Sequence, residues 1–191
     1  VTKPDQILAA TQTIEARTEG RGLGALINNA GIGLPAPIEL LDLDNMRTEF
    51  EINVFGAVAL TQALLPALRK ARGRIVNITS VAGELALPTF AGYAGSKHAM
   101  EGISDVLRRE LRSADVEVIV VQPGTVTSAM WDKGYAHIDD ELERMQPEHR
   151  ERYGSMLEGV RKSMKQGQDA AVAPERVAQV VAGALTARWP R

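Results

Sequence analysis

The sequence predicts an α/β protein with a parallel sheet, and three observations support this class. Short apolar runs typical of buried strands alternate with longer segments whose apolar residues recur every three or four positions. Each strand-like run is followed by a cluster of Gly, Pro, Asn, Ser or Thr. The order strand, helix, strand, helix, strand requires crossover connections and therefore parallel pairing. We expect a single domain over residues 1–191.

The individual elements follow from these patterns in chain order. Pro4 suits the first turn of a helix, which we expect over residues 4–18, and a short strand follows at 24–27. A long amphipathic helix is predicted at 44–70, with a kink or split near Pro66 because proline lacks an amide hydrogen. The remaining predicted elements are a strand at 74–78, a helix at 92–113, a strand at 116–121 and a helix at 174–187.

The order of elements also predicts where the helices and the strand ends lie. Right-handed crossovers place the helices 44–70 and 92–113 on one face of the sheet. The other face must then be covered by helix 4–18, by the C-terminal helix, or by both. The carboxyl ends of the strands share one edge, which is where open α/β sheets bind ligands. The polar segments at that edge are residues 28–31, 79–83 and 122–127.

Composition limits the classes of function. The chain has 22 Lys and Arg against 24 Asp and Glu, so its charge gives no reason to expect nucleic acid as a partner. It has no cysteine, which excludes disulfides, a thiolate nucleophile and cysteine-based metal sites. Its three histidines lack metal-ligand spacing, so we predict no metal. Without a signal-peptide pattern or an unbroken apolar run of membrane-spanning length, we expect a soluble, cytoplasmic protein with no membrane partner.

A tyrosine and a lysine are the first candidates for chemistry. Tyr93 and Lys97 lie four residues apart near the start of the helix 92–113, and therefore on one face of it. A nearby ammonium favours the phenolate form, but lowering the pKa of a phenol by roughly three units requires about 4 kcal/mol. A second positive charge would help to supply that energy. The alternative is a surface tyrosine beside a solvated lysine.

Two more polar side chains stand where the same chemistry could use them. Ser80 follows the strand 74–78 and could hold a substrate oxygen against Tyr93, although serines at such positions also cap turns. Asn53 falls on the apolar stripe of helix 44–70, where an unpaired amide would cost about 1–3 kcal/mol. Asn53 must therefore have a partner, either a backbone carbonyl or an ordered water.

These motifs, in this order, resemble the short-chain dehydrogenase/reductase family. The resemblance implies a Rossmann-like doubly wound parallel sheet, NAD or NADP as cofactor, and interconversion of an alcohol with a ketone or aldehyde. Residues 80–97 are similar to the branch that includes 17β-hydroxysteroid and retinol dehydrogenases, which favours apolar substrates. The matching motifs are Asn28-Asn29-Ala30-Gly31, Asn53 with Gly56, Ser80, Tyr93-x-x-x-Lys97 and Pro123-Gly124.

The resemblance also implies a role for each matched residue. Tyr93 would be the general acid/base, and Ser80 would orient the substrate oxygen. Lys97 would hold the nicotinamide ribose and lower the pKa of Tyr93, helped by the positive charge of the oxidised nicotinamide. Asn53 would fix a water that relays protons to solvent. The implied cofactor-binding residues are Asn28, Asn29, Ala30, Gly31, Tyr93, Lys97, Pro123, Gly124, Val126 and Thr127.

The sequence departs from the family pattern in one respect. The glycine-rich turn that seats the pyrophosphate on a helix N-terminus is missing, so we expect an N-terminally truncated sheet and a longer native protein. The strand at 24–28 would then be an exposed edge, and the 191 residues alone would bind dinucleotide poorly.

Other expectations concern the lid, assembly and function. Residues 126–170 would form a substrate lid, and helices 44–70 and 92–113 resemble those through which family members form homo-oligomers. The partner would be a small-molecule alcohol or carbonyl compound. Two alternatives stay open, namely a catalytically silent scaffold that only binds ligands, and an epimerase or dehydratase on the same scaffold.

Overall fold

The sheet has three parallel strands. The protein was described by a computed structural model covering residues 1–188, in which the strands are β1 (Ala25–Asn28), β2 (Arg74–Ile78) and β3 (Glu117–Val121), in the order β1-β2-β3. Asn28 of β1 is level with Asn77 of β2, so the strands end together at one edge. This arrangement confirms the predicted parallel sheet.

The ends of the four predicted helices agree with the structure to within a few residues, whereas no helix bounds were predicted for the two helices found within residues 126–170. A short 3₁₀ turn at Val81–Gly83 follows β2, and another at Arg112–Ala114 ends the helix predicted to reach residue 113. Within the described residues the α-helices are α1 (Pro4–Thr18), α2 (Leu43–Phe50), α3 (Gly56–Ala71), α4 (Ala91–Glu110), α5 (Met130–Arg144), α6 (Pro147–Asp169) and α7 (Pro174–Thr186).

The long helix predicted at 44–70 is interrupted by a π-helical turn, and of the kink or split expected near Pro66, the split was wrong. The turn spans Glu51–Phe55, and the Gly56 amide donates to the Glu51 carbonyl across it. Helix α3 then continues through Pro66. Leu64 and Leu68 on either side of the proline are buried, and this packing offsets the loss of one backbone hydrogen bond.

Two apolar layers enclose the sheet and settle which helix covers each face. Ile75 packs with residues of α3 and α4, whereas the next residue, Val76, packs with Val181 of α7. Helix α7 therefore covers the second face, as one of the predicted alternatives required. Helix α1 lies on the same side of the sheet as α3, because its Ile14 packs against the apolar cluster that α3 forms with Ile75.

The stretch Leu43–Ala71 is also long and apolar enough to cross a membrane, judged by length and composition alone. Its most apolar window of 18 residues has a mean hydropathy of 1.4. Polar residues interrupt this stretch, so it contains no unbroken apolar run of membrane-spanning length. Core helices of soluble proteins meet the same criterion, and the absence of a membrane partner stays a prediction.

The segment predicted as a substrate lid contains the helical hairpin α5–α6. Ile138, Leu157 and Met164 form an apolar core of its own. The hairpin is joined to the sheet edge where Thr127 donates to the Val172 carbonyl at 3.0 Å. Phe90, just before α4, also packs against this core, and Arg152 and Tyr153 of α6 hydrogen-bond with Glu39, so the hairpin contacts the rest of the chain at several points. Its role as a substrate lid stays a prediction.

Candidate active site

The first turns of α4 lie at the carboxyl end of β2, and a buried lysine makes the connection. Lys97 is only 5% exposed, and its Nζ donates to the carbonyl of Ile78, the last residue of β2, at 3.0 Å. An ammonium group this deeply buried requires such a partner. The bond fixes the helix face that carries Tyr93 over the sheet edge.

Tyr93, Lys97 and Ser80 converge as the sequence predicts. The Nζ of Lys97 lies 5.6 Å from the centroid of the Tyr93 ring. The side chain of Ser80 is near enough to the Tyr93 phenol to lower its pKa. The Ser80 hydroxyl also accepts from the Ala82 amide at 3.1 Å, so Ser80 caps the 3₁₀ turn as well. The turn-capping interpretation of this serine is therefore confirmed, and its role in holding a substrate oxygen stays a prediction.

Asn53 lies in the π-helical turn and has protein partners, as the backbone-carbonyl alternative predicted. Its Oδ1 accepts from the Ile32 amide at 2.8 Å, and its Nδ2 donates to the Ile32 carbonyl and to Ser96 Oγ, both at 2.9 Å. Both hydrogens of the amide are thus used, and one lone pair of Oδ1 is left for a further donor. The proton relay stays a prediction.

Gly31 separates Asn53 from Lys97. A Cβ at Gly31 would lie 3.3 Å from Asn53 Oδ1 and 3.4 Å from Lys97 Nζ, tighter than ordinary van der Waals contact. The backbone of the Asn-Asn-Ala-Gly motif therefore approaches both side chains closely. This approach brings the fourth predicted catalytic residue to the same edge as the other three.

Burial dominates the electrostatics of the pair Tyr93 and Lys97. Desolvation raises the pKa of Tyr93, hydrogen bonding with Ser80 opposes this, and the carboxyl of Glu49 raises it further. Desolvation also lowers the pKa of Lys97 to about 8, with Glu101 opposing. The net effect on Tyr93 is opposite in direction to the lowering that the resemblance implies. A positive charge beyond Lys97 is therefore needed to favour the phenolate.

The predicted cofactor-binding residues divide into two groups. Asn29, Ala30 and Gly124 are exposed at the sheet edge, where a ligand could reach them. The Asn28 side chain instead donates to Thr61 Oγ1 at 3.1 Å and to Asn77 Oδ1 at 2.9 Å, inside the fold. Pro123 and Val126 are half-buried, and Thr127 is exposed.

The residues around Lys97 could bind the nicotinamide ribose end of a dinucleotide. The buried amine of Lys97 beside the backbone of Gly31 can hold ribose hydroxyls, next to the Tyr93 phenol. Within residues 1–188, no strand leads through a glycine-rich turn into a helix, so the described part of the chain offers no matching site for a pyrophosphate. No group of three or more His, Asp or Glu in that part could hold a metal ion.

Two further residues of the site, Ser96 and Glu49, were not predicted from the sequence. Ser96 is fully buried and joins Asn53 to Tyr93, because its hydroxyl donates to the Tyr93 carbonyl at 2.7 Å. Its spacing of three from Tyr93 was the available signal. Glu49 is also fully buried, one helical turn before Asn53. The sequence feature that could have indicated Glu49 is a charged residue beside the apolar stripe of the predicted helix 44–70.

Comparison with known proteins supports the same family. Residues 1–139 match the family model described as short chain dehydrogenase. Retinol dehydrogenase 16 from Homo sapiens is 41% identical over 160 residues, which are 81% of this chain and 49% of that protein. The 17-beta-hydroxysteroid dehydrogenase type 6 from Homo sapiens is 36% identical over 176 residues, 87% of this chain and 54% of that protein.

A solved structure supports the fold. Gluconate 5-dehydrogenase from Burkholderia cenocepacia, in complex with NADP and tartrate, superposes with a TM-score of 0.63 at 28% identity, over 75% of this chain and 57% of that one. The chain spans about half the length of the two curated relatives it matches. The relatives confirm the resemblance to retinol and 17β-hydroxysteroid dehydrogenases, and the parallel sheet has the Rossmann-like fold. This chain belongs to the short-chain dehydrogenase family.

Proposed function

We propose that the protein is an NAD(P)-dependent oxidoreductase that interconverts an alcohol and a ketone or aldehyde, with Tyr93 as the general acid/base. The observation that carries the proposal is the meeting of Tyr93, Ser80 and Lys97 at the carboxyl edge of the sheet. The names of the retinol and hydroxysteroid relatives support an apolar substrate.

The side chains of the site divide the proton chemistry among them. The Ser80 hydroxyl would hold the substrate oxygen, and the Tyr93 phenol would give a proton to it or take one from it. Because burial raises the pKa of Tyr93, the phenol holds its proton at neutral pH, which suits reduction of a carbonyl. When bound, the nicotinamide supplies the hydride chemistry and, when oxidised, a positive charge.

The test is removal of one hydroxyl. Tyr93→Phe should lower kcat/KM for NAD(P)-dependent turnover by about 10²–10⁴-fold, the usual contribution of a general acid/base. Turnover of apolar ketones and alcohols is followed by absorbance of the reduced cofactor in the full-length enzyme. Ser113→Ala, which removes an exposed hydroxyl in the 3₁₀ turn after α4, is the matched control and should keep the wild-type rate.

Three outcomes would contradict the proposal. Unchanged turnover in the Tyr93→Phe variant would remove the assigned acid/base. Specific ligand binding without turnover would indicate a silent scaffold. Products of epimerisation or dehydration without net use of NAD(P)H would indicate a different enzyme on this fold.

Assembly and location belong to the same proposal. We propose a homo-oligomer formed through α3 and α4, and a cytoplasmic location. Phe55, just before α3, and Val106 on α4 are more than half exposed, which supports an apolar contact there. Light scattering coupled to size-exclusion chromatography measures the oligomeric state.

A further inference from the structure

A fully buried carboxyl group lies close to the candidate active site and has no role in the scheme above. Glu49, in the last turn of α2, is 0% exposed. Its Oε1 accepts from the Leu34 amide at 2.8 Å. Its Oε2 is buried and has no hydrogen-bond partner within the described part of the chain. A buried polar atom without a partner is costly, so its retention calls for an explanation.

The unpaired Oε2 of Glu49 lies against the backbone of Gly92, in the first turn of α4. A Cβ at Gly92 would lie 1.8 Å from Glu49 Oε2 and 2.9 Å from its Cδ, so the carboxyl occupies the space that a side chain at position 92 would need. The next residue is Tyr93. The carboxyl of Glu49 and the missing side chain of Gly92 therefore set how closely α2 approaches the start of α4.

The same carboxyl holds the loop on which the Tyr93 ring rests. Asn53 binds Ile32, and Glu49 binds Leu34. Between these two anchors, a Cβ at Gly33 would lie only 3.1 Å from Cδ2 of the Tyr93 ring. The ring thus packs against a loop residue that is fixed on both sides, and Glu49 supplies one of the two anchors.

We propose that Glu49 is a positioning residue that fixes the Tyr93 ring between the loop after β1 and the first turn of α4, and that its protonation state regulates proton transfer at Tyr93. The regulatory part rests on the proposed function. The positioning part rests on the contacts with Leu34 and Gly92 alone.

The surroundings of Glu49 make its charge responsive to pH. Burial raises its pKa to about 7, against the opposing effect of the Leu34 amide. Tyr93 is the group on α4 that its charge affects, and the Nζ of Lys97 on the same helix donates to Ile78. The other charged groups of α2 are exposed, with Asp44 and Arg47 paired to each other. Ionised Glu49 therefore makes Tyr93 a weaker acid above neutral pH.

Tyrosine absorbance tests this inference without any assay of turnover. The 191 residues contain three tyrosines, so within them a Tyr135→Phe/Tyr153→Phe background leaves Tyr93 as the only phenol that titrates. Glutamine keeps an acceptor for the Leu34 amide but carries no charge. Glu49→Gln should raise the phenolate-to-phenol ratio of Tyr93 at a fixed alkaline pH by about tenfold. Glu51→Gln, at an exposed position two residues on, should leave the titration unchanged.

Unfolding measured against pH gives a second readout. A carboxyl whose pKa is higher in the folded protein than its ordinary 4.5 binds its proton more tightly when folded. Its contribution to stability is therefore full at acid pH, falls as the pH rises from about 4.5 to about 7, and is constant above that. Glu49→Gln should abolish this fall. Identical phenol titrations and identical pH dependence in wild type and variant would overturn the inference.

The positioning role is tested with glycine substitutions in α4. Gly92→Ala places a methyl group against the Glu49 carboxyl and should lower kcat by at least about tenfold, with a smaller change in the KM for substrate. Gly102→Ala, with open space around the new methyl, is the matched control and should keep full activity. Equal kcat values in the two variants would contradict the positioning role. If Glu49→Gln shifts the Tyr93 titration in a protein that lacks dehydrogenase activity, the proposed function fails and the effect of the Glu49 charge on Tyr93 stands.

Discussion

Asn53 shows how a single side chain can join separate parts of the site. It binds both polar groups of the Ile32 backbone and the hydroxyl of Ser96, and Ser96 in turn binds the Tyr93 carbonyl. The π-helical turn at Glu51–Phe55 carries the asparagine, and such turns are frequent at functional sites. The amide therefore links the loop after β1 to the helix of Tyr93.

The substitution Asn53→Asp tests this link between the loop after β1 and α4, because aspartate has nearly the same shape as asparagine but cannot donate when ionised. The carboxylate still accepts from the Ile32 amide, but an acceptor now faces the Ile32 carbonyl and no proton reaches Ser96 from this side chain. We expect a loss of about 2–4 kcal/mol in the free energy of unfolding, measured by urea denaturation. The loss should shrink at acid pH, where the carboxyl can donate. Asn45→Asp, in the first turn of α2, is the control and should stay within about 0.5 kcal/mol of wild type. Equal losses in the two variants would contradict the link.

At the scale of elements, α7 depends on one arginine of β2 for its position. Arg74 donates to the carbonyls of Ala184 and Ala187 at 2.6 and 2.7 Å and lies 2.9 Å from the Glu117 carboxylate. Carbonyls at a helix C-terminus lack intrahelical partners, so a half-buried guanidinium satisfies them and complements the helix dipole. The arginine thus fastens the C-terminal end of α7 to the sheet beneath it.

Arg74→Met keeps most of the aliphatic stem and removes these bonds. We expect the free energy of unfolding to fall by about 1–3 kcal/mol and amide hydrogen exchange to rise in the last turn of α7. The titration of Tyr93, on the opposite side of the sheet, should not change. Arg47→Met removes an exposed ion pair and should cost less than about 1 kcal/mol. Unchanged exchange in α7 would show that its apolar contacts alone hold the helix.

At the scale of the whole molecule, local sequence patterns predicted the helices and strands. Contacts between residues far apart in the sequence determine the π-helical turn and the burial of Glu49, which those patterns did not predict. The strand at 74–78 and the pairing of Tyr93 with Lys97 follow from periodicity and spacing, so the sequence alone predicted them. The π-helical turn depends on bonds between Asn53 and Ile32, 21 positions apart, which no local pattern shows. Glu49 was missed because charged residues are seldom buried, and only the packing of α2 on α4 reveals it.

The face of the sheet at β1 predicts how the 191-residue chain behaves in solution. In register, Ile27 lies beside Val76, and Val76 beside Ile119. Helix α7 covers Val76 and Ile119, whereas Ile27 is 44% exposed on a strand that pairs, among the described residues, with β2 alone. An apolar edge strand of this kind favours association between copies of the chain.

Ile27→Thr should therefore slow aggregation of the 191-residue chain. Threonine keeps the preference for strand structure but removes about 1 kcal/mol of apolar burial from each copy that associates at this edge, so the aggregation rate should fall at least about tenfold. Static light scattering against protein concentration measures the effect. Leu43→Thr replaces a side chain that is 59% exposed on α2, away from any strand edge, and should change the rate little. If both substitutions slow aggregation equally, association follows general apolar exposure and not the β1 edge.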